Sequence, residues 1–374
     1  MISKKVFLFV AMAVSIAYSC QSNDPLEDIS EDNLERNIEL FPNLISDSLT
    51  WDTALKELET SADAKAAFDH WITKPAEEAM SHNPYSVKSL DGANQAECKQ
   101  SANDIYNIAV SWLFMDKQSI LAQNYLNKAT SLILKWALVN EPTNHTPNES
   151  LLTPIYEAYS IIRKSINESD RKQIDQWIKM RANYYKNLNL TGNLLENNWN
   201  TIRLNFLFYF AQILEDELLY NYSVSKFKSH IELNILSSGI SHDFVNRDAL
   251  TYHAYNLLFY SRILKSATIY KNRDAALQLY HLKNSKGSSV EDCVNFWEPY
   301  LLDPENNVHL EFVNTSWEPD KNQSSYNKPY NPNGTLYVLD ELSYIEPRCN
   351  NYIESITTGN HYSRTFKYWI NSIE

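Results

Sequence analysis

The 374-residue chain predicts an all-α fold, an incomplete (α/α) toroid built from antiparallel helix pairs, on three observations. Glycine is scarce, six residues in all, and the tight hairpins of sandwiches and barrels draw heavily on glycine. Hydrophobic residues make up 44% of the chain and sit in long Leu-, Ile-, Tyr- and Lys-rich segments rather than in short alternating runs. Those segments follow one another in pairs, separated by short polar breaks, as successive helical hairpins do.

In chain order, the first segment is set aside from the fold. Lys4 and Lys5 precede the apolar run VFLFVAMAVSIA (6–17), which is too short to span a bilayer and reads, over 1–19, as a lipoprotein signal peptide. Cys20 follows a small residue, which resembles the lipidation site of bacterial lipoproteins with Ala17 in place of the usual leucine. The expected location is therefore the cell envelope, periplasmic or on the outer-membrane surface, with the membrane held through Cys20. Residues 20–45 carry seven acids against Arg36 alone and predict a solvated acidic tether. Residues 46–374 are expected to form one toroid domain.

Within that domain, SADAKAAFDHWITKPAEEAM predicts a helix. QSANDIYNIAVSWLF and SILAQNYLNKATSLILKWAL predict an antiparallel pair about Met115, Asp116 and Lys117. PIYEAYSIIRKSI and DRKQIDQWIKMRANYYKNL form a second pair, joined through Asn167, Glu168 and Ser169. WNTIRLNFLFYFAQIL and ELLYNYSVSKFKSHIELNIL form a third, and DALTYHAYNLLFYSRILKSATIY opens a fourth. The helix from Trp199 is apolar on almost every face, as an enclosed inner helix is. After residue 303 the Asn-, Pro- and Ser-rich texture predicts ordered loop with a short extended piece, and helix returns at the end.

Net charge narrows the function. At −13, and more acidic still once Lys4 and Lys5 are removed, the chain is not expected to bind nucleic acid. An anionic ligand needs a local cationic pocket. Cys98, Cys293 and Cys349 lie far from any zinc spacing and allow at most one disulfide.

Three polar knots stand out. DFVNRDALTYHAYNL (243–257) is too polar for a core helix and too aromatic for a surface one, which suits a wet concave site. Read as a helix from Asn246, it places Asp248 in the first turn, Tyr252 and Tyr255 on one face, and His253 toward Leu250 and Leu257. ENNWNTIR (196–203) sets two asparagines and a tryptophan before the inner helix. VHLEFVN (308–314) puts His309 and Glu311 on one side of an extended segment.

With these knots in place, the chain resembles the alginate lyase superfamily of all-α polysaccharide lyases. YNIAVSW with LKWAL, ENNWN, RDALTYHAY and PYLL…VHLEFVNTSWEPDK carry the resemblance over most of residues 95–345. It implies β-elimination at a uronic acid unit: the carboxylate is neutralised, a base removes the C5 proton, and an acid protonates the departing oxygen. By the same resemblance Tyr252 is the catalytic tyrosine and Asn198 neutralises the carboxylate, with Arg247 supporting the tyrosine or gripping substrate. Asn197, Trp199, Arg203, His253, Tyr255, His309 and Glu311 are the expected substrate contacts. No metal and no organic cofactor are implied; the expected partner is an anionic polysaccharide, and the chain is expected to act as a monomer.

Trp199, Ile202 and Val245 stand where relatives carry a histidine, a histidine and an arginine. His253, His309 or Arg203 are the candidates to replace what is missing. Two other readings remain open: an inactive glycan-binding lipoprotein, and a glycoside hydrolase using Asp248 and Glu311 across the cleft.

Overall fold

Why the helices start where they do is visible in their caps, in a computed structural model that describes residues 40–357 and 361–373. Asp47 accepts the Thr50 N–H and opens α1 (Ser48–Thr60); Ser61 opens α2 (Ala62–Phe68), which runs through a π turn into α3 (Lys74–Ser81). The first expected pair is α4 (Gln95–Leu113) and α5 (Ile120–Val139), the latter capped by Ser119. A short helix α6 (Thr146–Glu149) precedes the second pair, α7 (Thr153–Ile162) and α8 (Glu168–Asn187), where Asn167 is the cap. Then come α9 (Asn193–Glu196) and the third pair, α10 (Asn198–Leu214) and α11 (Glu217–Asn234). The fourth group is α12 (His242–Arg247), α13 (Leu250–Tyr270), α14 (Arg273–Tyr280) and α15 (Val290–Leu302), followed by α16 (Leu336–Leu342), α17 (Arg348–Ile356) and α18 (Phe366–Ser372).

These helices form two layers. α4 packs on α7, α10 on α13, and α13 on α16, making the inner layer; α5, α8 and α11 pack outside them. Tyr156 of α7 meets Phe206 and Phe210 of α10 edge-on at 6.1 and 5.0 Å, which closes the inner layer between the second and third pairs. The expected enclosure of α10 is met: only Trp199, Gln212 and Leu214 along it are not buried. The fold is all-α, as the glycine-poor, pairwise pattern predicts.

Three local features differ from expectation. The stretch 243–257 is not one helix from Asn246, because α12 ends at Arg247, Asp248 turns left-handed at φ 48, and α13 begins at Leu250. Aspartate tolerates that conformation better than most residues, and the Asp248 carbonyl is taken by the Phe312 N–H instead of continuing a helix. The piece 308–314 is extended only as far as a single bridge, Leu310 to Pro329. At the other end, Leu44 and Ile45 are already buried, and the Leu44 N–H donates to Ser160 Oγ, so the last residues assigned to the tether pack on the helices. The signal segment, Cys20 and the tether up to residue 39 lie outside the described residues. Cys98, Cys293 and Cys349 are buried, unpaired thiols.

Candidate active site

A cleft of about 790 Å³ opens where the N-terminal ends of α10 and α13 meet. That size accommodates a ligand of several rings' worth of atoms. Asn197, Asn198 and Trp199 form one wall; Arg247, Tyr252 and Tyr255 form another; His145 and the segment from Phe312 to Ser325 complete it.

On the first wall Asn197 caps α10 by accepting the Trp199 N–H at 3.0 Å. The Asn198 N–H donates to Asp243 Oδ1 at 2.9 Å, and Asp243 Oδ2 accepts from Asn234 at 3.0 Å. Asn198 is buried, yet among the described residues its side-chain amide has no hydrogen bond within the chain. Burial pushes Asp243 up to about 6, against the pull of those two donors and of Arg247.

The second wall depends on the break at Asp248. It turns the chain so that Arg247, at the end of α12, lies over the Tyr252 ring, with the guanidinium carbon 3.8 Å from the ring centroid. The guanidinium is gripped from behind by the buried carboxylate of Asp320, through Nε and Nη2. Thr251, Tyr252 and Tyr255 remain partly exposed on the cleft face, and His253 points the other way. Tyr252 sits edge-on to Phe312 at 6.0 Å. Burial raises its hydroxyl above the ordinary 10; Arg247 works against that, while Asp320 and Asp243 add to it.

A helix N-terminus attracts anions, and two of them face this cleft. Both are already covered by carboxylates: Asp243 holds the Asn198 N–H, and Glu311 accepts from Leu250 N at 2.8 Å and Thr251 N at 3.3 Å. An anionic substrate must therefore be met by side chains, not by the helix ends.

His145 is the side chain that the sequence pattern did not reveal. It caps α6, with Nδ1 accepting the Asn148 N–H at 3.2 Å, so the neutral ring carries its proton on Nε2. Its ring lies 4.5 Å from that of Trp199. The loop is fixed from below: Glu149 accepts from Thr143 N and Oγ1 and pairs with the fully buried Arg181, while Thr146 Oγ1 donates to the Trp199 carbonyl. The only sequence signal was a histidine followed by Thr-Pro, a helix start.

Four of the expected substrate contacts lie outside the cleft lining. Arg203 is buried against the end of α8, donating to the Tyr185 and Lys186 carbonyls and to Asn200. His253 has both nitrogens engaged, by Ser241 Oγ and the Cys293 carbonyl at 2.9 Å each, and burial holds it down to about 4. His309 packs on Phe244 with Nε2 at the Asp248 carbonyl, 3.1 Å away. Glu311 is the α13 cap. Asp248 accepts the Asn314 N–H, so both acids considered for a hydrolase are engaged by backbone N–H groups. Ile202 is buried in the core and Val245 is on the surface.

Among the described residues no group of three or more His, Cys, Asp or Glu side chains is arranged to hold a metal ion. The alginate lyase family matches residues 91–307. No curated protein matches the chain. Among solved structures, a histidine-to-alanine variant of alginate lyase A1-III complexed with a tetrasaccharide is similar in fold, with a TM-score of 0.50 and 13% identity over 62% of this chain and 71% of that one. With more than half of its length matched, the chain belongs to the alginate lyase family and so to the polysaccharide lyases.

Proposed function

We propose that the protein cleaves a uronic-acid-containing, alginate-like polysaccharide by β-elimination in this cleft. The observation that carries the reading is the convergence of Asn198, Arg247, Tyr252 and His145 on one cavity. Asn198 and the Nε2–H of His145 donate to the substrate carboxylate, which acidifies the neighbouring C5–H. Tyr252 takes the C5 proton, C4=C5 forms as the C4–O bond breaks, and the tyrosine returns the proton to the departing oxygen. Arg247 holds the tyrosine and supports its anionic form. Fixed donors aimed at the enolate-like state are the larger contribution, and the proton transfers add about 10²–10⁴-fold. Trp199, Tyr255 and the half-exposed Trp317 offer faces for sugar rings. In this reading the chain works at the cell envelope, anchored through a lipid on Cys20.

The test is ultraviolet detection of the unsaturated uronate over a panel of polyuronates, with wild type and Tyr252→Phe. Product from wild type that disappears in the variant supports elimination at Tyr252. No product from any polyuronate, with binding still measurable by calorimetry, replaces the lyase with a glycan-binding protein.

A further inference from the structure

A second cavity, about 520 Å³, adjoins the first: Tyr337 lines both, and Tyr255 of the first interacts with Ser150 of the second. We propose that it binds a further uronate unit of the same polysaccharide, with Lys99 meeting the carboxylate, Asn103 and Asn107 the hydroxyls, and Trp71 a ring face. This rests on the polyuronate reading of the first cleft.

Lys99, Asn103 and Asn107 are spaced four apart along α4 and therefore share one face of it. All three line the cavity and none is buried. Their side chains make no hydrogen bond or ion pair within the chain among the described residues. The other cations of the cavity are differently placed. Arg262 pairs with Glu341 at 3.0 Å, Arg364 with Asp340 at 2.6 Å, and Lys367 with Glu157 and Glu341 at 2.8 Å each. Those pairs hold the wall together and leave Lys99 free for an anion. Trp71 is half-buried against Trp369, 6.3 Å away, which fixes its ring while part of it faces the cavity. A lone lysine or asparagine on a helix is ordinary. A cation, two amides and an indole around one cavity adjoining the proposed polysaccharide cleft make the set of donors and faces that an acidic sugar uses.

The experiment compares wild type with a Lys99→Ala/Asn103→Ala/Asn107→Ala variant on polyuronate oligomers of increasing length. An exposed ion pair and two hydrogen bonds are each worth a few-fold. The expected result is that the ratio of kcat/KM on long over short oligomers falls about tenfold. A ratio equal to that of wild type overturns the subsite and leaves the lyase reading intact. If wild type yields no unsaturated product, calorimetry with the polyuronate decides. Binding that weakens about tenfold in the variant upholds the subsite without elimination; equal binding, or none by either protein, overturns it.

Discussion

Replacing His145 by asparagine separates its two duties. As a cap, His145 satisfies the Asn148 N–H through Nδ1. Asparagine is among the best N-cap residues, and its Oδ1 can accept the same N–H, so the loop below keeps its Glu149–Arg181 anchor and its Thr146 bond to Trp199. Stability is expected to change by no more than about 0.5 kcal/mol. As the donor proposed for the substrate carboxylate, the imidazole is lost, and removing one such preorganised donor costs about 10²–10³-fold in rate, or about 2.7–4 kcal/mol. Initial rates of unsaturated product and thermal melts of the same preparations measure both quantities. Full activity in His145→Asn would remove the imidazole from the chemistry. A melting temperature falling in step with activity would reduce His145 to a structural cap.

Four further outcomes are expected. In the proposed elimination Tyr252 loses its proton to act as base and burial holds that proton on, so kcat/KM is expected to rise with pH above neutrality; a rate that is flat or falls there assigns the tyrosine the acid step alone. Asp243 is held up to about 6 against its ordinary 3.8, so its contribution is full below 3.8 and lost as pH rises through 6, about 3 kcal/mol, and denaturant titrations of Asp243→Asn should lack that fall. His253, held down to about 4, acts the opposite way: its contribution is present above 6.5 and lost as pH falls through 4, which the same titrations in His253→Gln would test. Glu311→Ala strips the acceptor from two N–H groups at the start of α13 and is expected to cost about 2 kcal/mol in denaturant unfolding, with Glu311→Gln losing less.

The helix pairs were legible because their determinants are local: periodic apolar residues, caps such as Ser119 and Asn167, and short breaks. The placement of Tyr252 and the two asparagines on the cleft was legible for a related reason, since each lies in a dense polar knot within a few residues of a helix start. The break at Asp248 was not legible, because a left-handed aspartate is chosen by a partner 64 residues away in sequence, the Phe312 N–H. His145 was missed because it reaches the cleft from a loop held by Arg181, a contact spanning 32 residues that no spacing announces. His253 and Arg203 misled for the converse reason. Polar side chains beside a site can be satisfied inward, by the Cys293 and Tyr185 carbonyls, and periodicity does not say which way they turn.

The segment after residue 303 supplies the α13 cap through Glu311 and the grip on Arg247 through Asp320, across 61 and 73 residues of chain. Contacts that distant form late, because a long loop must close before they gain anything. During synthesis α4, α7, α10 and α13 can pack as they emerge, whereas the tyrosine wall cannot reach its final geometry until residue 320 has been made and has folded back. Those four helices and the wall that carries Tyr252 are thus completed at different times. A slow step in refolding should appear in the recovery of activity after the helical signal has already returned.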